Sequence, residues 1–233
     1  MTSLSSAIRA ISCGAIPAAA LLAATPALAQ TQDHAPVNLP AASAMTQDKT
    51  GGDSWTYVNP SASFGKYRTV IVEPATVYTG PDAQFVDVDQ ADRAQYAAIL
   101  SDSLRSELAK SFPSPAKPGA DTLVVRMSLL GASKTKGGIA TATRVTPIGF
   151  GLSAAKSVLG KGGTFTGSVL MAVEAYDGKT GDLLFTAVRR RHPDPLDIPA
   201  TLSTTDTVKS VARDFANSAR LKLENMTGVS PAP

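Results

Sequence analysis

The sequence predicts an α+β domain: a mostly antiparallel sheet of about four to five strands with two helices packed on one face. Two observations carry that expectation. Residues 67–73, 122–130 and 164–176 alternate at the period of two that a half-buried strand requires, whereas residues 89–112 and 204–224 repeat their apolar positions at helical spacing. The order is strand, helix, strand, hairpin, helix, which suits helices gathered on one side of a sheet.

The chain opens on a short polar stretch whose single charge is Arg9, followed by an apolar run over 11–28 that closes on Ala27-Leu28-Ala29. Small residues at Ala27 and Ala29 suit the narrow subsites of a signal peptidase, and the run is shorter than a stable span. Residues 1–29 are expected to be a secretory signal peptide cut near Ala29; a retained anchor is the alternative. Cys13, the only cysteine, lies inside this segment and ahead of most of the apolar run, where a lipid-anchor cysteine would follow it. Cleavage would leave a periplasmic or secreted chain without disulfides or thiolate ligands.

Residues 30–54 are rich in Gln, Thr, Ala, Pro and Gly without apolar periodicity and read as a flexible tail. Order is expected from Trp55 and Tyr57 onward, in one domain over 55–226, with 227–233 as a C-terminal tail. The strand at 67–73 puts Val70 and Val72 on one side and Ile71 on the other, and Pro74 ends it because proline cannot donate to a ladder. A short strand is expected at 76–78. In the first helix Tyr96, Leu100, Leu104, Leu108 and Phe112 recur every four residues, Asp89 is the expected N-cap, and Pro113 is the stop. Leu123, Val125, Met127 and Leu129 share one face of the strand at 122–130. Strands at 164–176 and 183–190 form a hairpin through Asp177-Gly178-Lys179-Thr180-Gly181, whose glycines suit positive φ. The last helix carries Val208, Val211, Ala212, Phe215, Ala219 and Leu223 on one stripe, with Ser203 and Asp206 resembling a capping box.

Several of these segments resemble one bacterial family. Trp55-Thr56-Tyr57, the run Tyr67-Arg68-Thr69-Val70-Ile71-Val72-Glu73-Pro74, the strand opening Thr122-Leu123, and Val173-Glu174-Ala175-Tyr176-Asp177-Gly178-Lys179-Thr180-Gly181-Asp182-Leu183-Leu184 are similar to the domain-of-unknown-function family 3313, made up mainly of exported proteins and lipoproteins. The resemblance covers roughly residues 54–225. The chain departs from it in lacking a usable lipobox and in having Phe215 where a tryptophan is expected in the last helix. The family has no assigned activity, so the resemblance implies none.

Composition narrows the chemistry. Hydrophobic residues are 43% of 233 and the formal net charge is +3, too apolar for a disordered chain and too weakly basic for a dedicated nucleic-acid binder. His34 falls in the expected tail and His192 follows Arg189-Arg190-Arg191, so no His-rich or Cys-based metal site is expected, and no cofactor. Asp82, Asp87, Asp89 and Asp92 surround a helix start, which their charge favours electrostatically; an all-carboxylate site for Ca²⁺ or Mg²⁺ is the alternative. Gly151-Leu152-Ser153-Ala154-Ala155 ends in Ala where a nucleophile elbow needs Gly, and Gly178-Lys179-Thr180 lacks the first glycine of a phosphate loop. The run Arg189-Arg190-Arg191-His192 alternates faces and reads as a solvated strand end.

Two candidate sites remain. The long loop 133–163 holds Lys134, Lys136, Arg144, Lys156 and Lys161, and no acid occurs between Asp121 and Glu174. With its apolar residues and glycines it could lie on an anionic surface, and Arg144, Ile148, Phe150, Leu152, Lys156 and Lys161 are its candidate contacts. The plainer alternative is a glycine-rich loop folded over its own sheet. The second candidate is a charge cluster on the sheet face, Glu73, Arg126 and Glu174, three charges on otherwise apolar strands that must be paired or solvated. The leading expectation is therefore an exported, non-enzymatic domain, peripherally associated with the envelope by contact with an anionic membrane surface or an envelope protein. The alternative is a small-ligand binder or hydrolase-type enzyme using the Glu/Arg cluster.

Overall fold

The computed structural model describes residues 35–36, 38–49, 54–134, 167–194, 197 and 199–230. In chain order the strands and helices are β1 (Thr46–Gln47), β2 (Ser54–Val58), β3 (Thr69–Val72), β4 (Thr76–Val77), β5 (Gln84–Val86), α1 (Gln90–Leu108), β6 (Thr122–Ser133), β7 (Ser168–Asp177), β8 (Leu183–Arg191) and α2 (Thr204–Thr227). Short 3-10 turns lie at Ala42–Ala44, Phe64–Lys66 and Pro199–Thr201.

Among the described residues, all eight strands belong to one sheet, ordered β1-β2-β8-β7-β6-β3, with β4 and β5 also paired to β6. β3, β4 and β5 run parallel to β6, and the other pairs are antiparallel. The α+β class and the two helices are as expected, but the sheet is mixed and larger than four to five strands. The reason is local. Pro74 interrupts the first strand, yet the chain keeps travelling beside β6 in pieces of two and three residues, too short to show alternation. Helix α1 then carries the chain back to the starting end, so β6 must run in the same direction as β3.

The side of the sheet facing the helices holds the main core. Leu123, Val125, Met127 and Leu129 of β6 meet Val169, Met171 and Ala175 of β7 there. Tyr96, Leu100, Leu104 and Leu108 of α1 and Val208, Val211 and Ala212 of α2 close it from above. A register shift between Leu129 and Gly131 lets β6 continue to Ser133 with reversed parity, so Ala132 joins this core although Leu130 faces away. Helix α1 ends at Leu108, earlier than the spacing predicts, but Phe112 in the following turn stays 1% exposed in the same core.

Ser203 caps α2, its Oγ accepting from the Asp206 amide at 3.1 Å and donating to the Asp206 carboxylate at 2.7 Å. Asp89 occupies the N-cap position of α1 without a side-chain cap bond. Arg220 of α2 ties the helices together by pairing with Glu107 of α1 at 2.9 Å and with Glu224 at 2.6 Å.

A smaller cluster lies on the opposite face: Ala35, Leu39, Trp55, Tyr78, Leu130, Leu170, Ala172 and Val188. Part of its cover comes from within the stretch expected to be a tail. Leu39 is buried, and β1 pairs with β2 at Thr46–Thr56 and Gln47–Trp55. Asp48 accepts from Ser54 Oγ at 2.7 Å. One buried leucine and a two-residue strand leave no periodic signal in the sequence.

Candidate functional site

The hairpin turn joining β7 to β8 is organised by a buried carboxylate. Asp177 accepts from Lys66 Nζ at 2.6 Å and Tyr67 Oη at 2.8 Å, and from the amides of Lys179 at 2.8 Å and Thr180 at 2.9 Å. These donors, Lys66 foremost, hold its carboxyl well below the usual carboxylate range, while burial and the Asp177 bond raise the Tyr67 phenol. Only Gly181 of this turn has positive φ, at 75°. Gly178 is needed for a different reason: a Cβ there would lie 2.7 Å from the Thr122 carbonyl oxygen, where the Gly178 amide donates at 2.8 Å. Lys66, Tyr67 and Asp177 were not legible as partners, since 110 positions separate the tyrosine from the aspartate.

Glu73, Arg126 and Glu174 lie together on the sheet face away from the helices. Arg126 and Glu174 are cross-strand partners of β6 and β7. The guanidinium nevertheless turns to Glu73, donating from Nε at 2.7 Å and Nη2 at 3.3 Å, and stacks on the Tyr176 ring at 4.7 Å. The Glu73 bond raises the Arg126 pKa. Glu174 is 7% exposed and accepts from Tyr176 Oη at 2.6 Å. Burial, then this bond, pushes the Tyr176 phenol up to about 12. Glu73, Arg126 and Glu174 line one open cleft of about 370 Å³ with Thr76, Tyr78 and Ser128. A cleft of this kind can hold a small hydrogen-bonding ligand. Its one guanidinium is already shared between a carboxylate and an aromatic ring.

A second concavity lies on the helix side, where sequence reasoning placed no site. α1 packs over β3, β4 and β6 and α2 over β7, so the shelf beyond them is only partly covered. Phe185 is half-buried there, and its cross-strand partner Val58 is 52% exposed. Between α2 and this shelf runs a groove of about 190 Å³, walled by Phe64, Val173, Phe185, Phe215, Ala219 and Met226. Its charged wall residues, among those described, are Arg189, Arg191 and Lys222.

Arg189 is half-buried, not solvated as expected for this strand end. It donates to the Trp55 carbonyl and Thr56 Oγ1, each at 2.8 Å, and lies 3.4 Å from Asp48. Burial lowers its pKa, which stays that of a cation at neutral pH. Lys222 Nζ sits 5.5 Å from the centroid of the Phe185 ring. Arg190 points the other way, donating to Ser168 Oγ at 3.2 Å and to Gln84. The signal that could have located this groove was the spacing of Arg189 and Arg191, which places both on one side of β8. The other wall required knowing where α2 lies.

Arg144, Ile148, Phe150, Leu152, Lys156 and Lys161, the loop contacts expected from sequence, lie outside the described residues. Among the described residues no group of three or more His, Cys, Asp or Glu side chains is placed to hold a metal ion, and no helix is long and apolar enough to cross a membrane.

Fold and sites together define an α+β domain with two helices on one side of a mixed sheet, a polar cleft on one face and an apolar, cation-walled groove on the other. The chain belongs to the family described as protein of unknown function DUF3313, whose profile matches residues 38–219. No curated protein matches it. Among solved structures it is similar to the PelC dodecamer from Paraburkholderia phytofirmans. In one crystal form the TM-score is 0.34 at 14% identity, covering 75% of this chain and 96% of that one. It is also similar to a DUF4136 family protein from Bacteroides thetaiotaomicron, with TM-score 0.29 and 13% identity, covering 75% and 96%. The dodecameric assembly is a property of PelC.

Proposed function

We propose that this protein is an exported, non-catalytic domain of the cell envelope that acts by contact, and that the groove between α2 and β8 is its contact site. One observation supports the reading above the others: an open apolar groove whose described charged wall residues are all cations. That combination suits an anionic, amphiphilic surface, because apolar burial supplies affinity while the cations select the headgroup. The apolar run at 11–28 with its Ala27-Leu28-Ala29 ending supports export. Sedimentation with vesicles is the test. The protein should pellet with phosphatidylglycerol-containing vesicles more than with purely zwitterionic ones, with less binding at high salt. Met226→Asp, at an exposed groove position, should reduce pelleting. Equal pelleting by wild type and Met226→Asp would overturn the reading.

A second reading rests on the cleft of Glu73, Arg126 and Glu174, which line a single concavity. In that reading a small polar ligand binds there, and Glu174→Gln would abolish its binding without changing vesicle association.

A further inference from the structure

We propose that the groove takes the tail of a single-chain anionic amphiphile, with a carboxylate or phosphate head held at Arg191 of β8 and with Lys222 of α2 adding positive field from the groove's other end. This inference rests on the reading of the groove as the contact site and names the chemistry of its occupant.

Size limits the occupant. A groove of about 190 Å³ is only modestly larger than the apolar cavity of roughly 150 Å³ that accepts a benzene ring. A stretch of one slender chain fits in such a space, and a diacyl lipid could seat only one of its two tails there. The wall is the next consideration. Phe64, Phe185 and Phe215 are half-buried and present apolar surface that folding has not covered. An alkyl chain laid against them would remove that surface from water, the main source of affinity available to the site.

Charge then selects the head. Arg189 and Arg191 stand on one side of the groove and Lys222 on the other. Arg189 is already held by the Trp55 carbonyl, Thr56 and Asp48, so it contributes field more than a free donor. Arg191 is an exposed side chain on the same side of β8 as Arg189, and a head placed beside it would meet its guanidinium within the field of a second. Lys222 lies beside Phe185, six residues back along β8 and so about 20 Å away at the strand rise, and adds positive charge at the groove's other end. The same arrangement disfavours a cationic head.

The test is isothermal titration of the full chain below micelle-forming concentrations with dodecanoate, dodecyl phosphate, dodecyltrimethylammonium and inorganic phosphate. Dodecanoate and dodecyl phosphate should bind, inorganic phosphate should not, and the cationic amphiphile should bind at least about tenfold more weakly. The double variant Arg191→Glu with Lys222→Glu should cost dodecanoate about tenfold or more and abolish the preference between heads. Trp55, on the opposite face, reports by its emission that the variants remain folded. Equal affinity for anionic and cationic amphiphiles in the wild type overturns the proposal, as does unchanged dodecanoate binding by the folded double variant. If dodecanoate fails to bind while anionic vesicles are still pelleted, the amphiphile proposal falls and the contact reading stands. If both fail, both fall.

Discussion

Replacing Asp177 by Asn removes one charge and converts one acceptor oxygen into a donor amide, at a carboxylate buried to 4% exposure. The wild-type carboxylate divides its work between its two oxygens. Oδ2 takes Lys66 and Tyr67, and Oδ1 takes the amides of Lys179 and Thr180. Asparagine has a single carbonyl oxygen, so it can serve the turn amides or the Tyr67 hydroxyl but not both. Keeping the turn strands the hydroxyl of Tyr67, which is 1% exposed. An unsatisfied buried donor costs about 1–3 kcal/mol. The lost Lys66 pair adds roughly 0.5–1 kcal/mol, discounted because Lys66 is 53% exposed and its charge is screened. The expected loss is about 1.5–4 kcal/mol, read in urea as a lower midpoint with unchanged slope.

Acid supplies the control. A carboxyl whose folded pKa lies below its unfolded value near 4 contributes stability that is present above about pH 4 and lost as pH falls toward the folded value. The gap between wild type and Asp177→Asn should therefore narrow steadily as pH falls below about 4 and still be narrowing at pH 2. A cost under about 0.5 kcal/mol at pH 7, or a gap of constant size down to pH 2.5, would refute the account of this turn.

Two further predictions follow from the same kind of geometry. Gly178→Ala should destabilise by about 1–3 kcal/mol in a urea melt, because the carbonyls of Thr122 and Gly119, 2.7 and 3.0 Å from the added Cβ, both belong to backbone; a neutral substitution would show that the turn can shift at no cost. Tyr176, with a folded pKa of about 12 against an ordinary value near 10, contributes stability that is present below about pH 10 and lost as pH rises toward 12. The stability gap between wild type and Tyr176→Phe should shrink over that interval, and a flat gap would show that burial and the Glu174 bond do not together hold the phenol protonated.

Much of the fold was legible because it depends on periodicity. Val70 and Val72 are buried with Ile71 between them half-exposed, and the stripe from Tyr96 to Leu108 faces the core as its spacing requires. The capping by Ser203 could be read because a cap acts across three residues. The pairing of Arg126 with Glu73 was harder to see. All three charges of the cleft were identifiable as costly on apolar strands, but their cross-strand register names Glu174 as the partner of Arg126, and the salt bridge goes instead to the parallel neighbour.

The sequence by itself determined the class of the fold, the two helices and the side of each strand that faces them, since these follow from contacts repeating along a single element. Only the tertiary structure decided the parallel pairing of β3, β4 and β5 with β6. That direction is set by where α1 delivers the chain, and β4 and β5 are too short to carry a pattern of their own. The groove is likewise a tertiary product. Arg189 and Arg191 share a face by strand geometry, but Lys222 joins them only because α2 packs over β7 and leaves Phe185 and Val58 partly uncovered beside it. The space left between packed elements depends on their relative placement, which no local pattern of residues encodes.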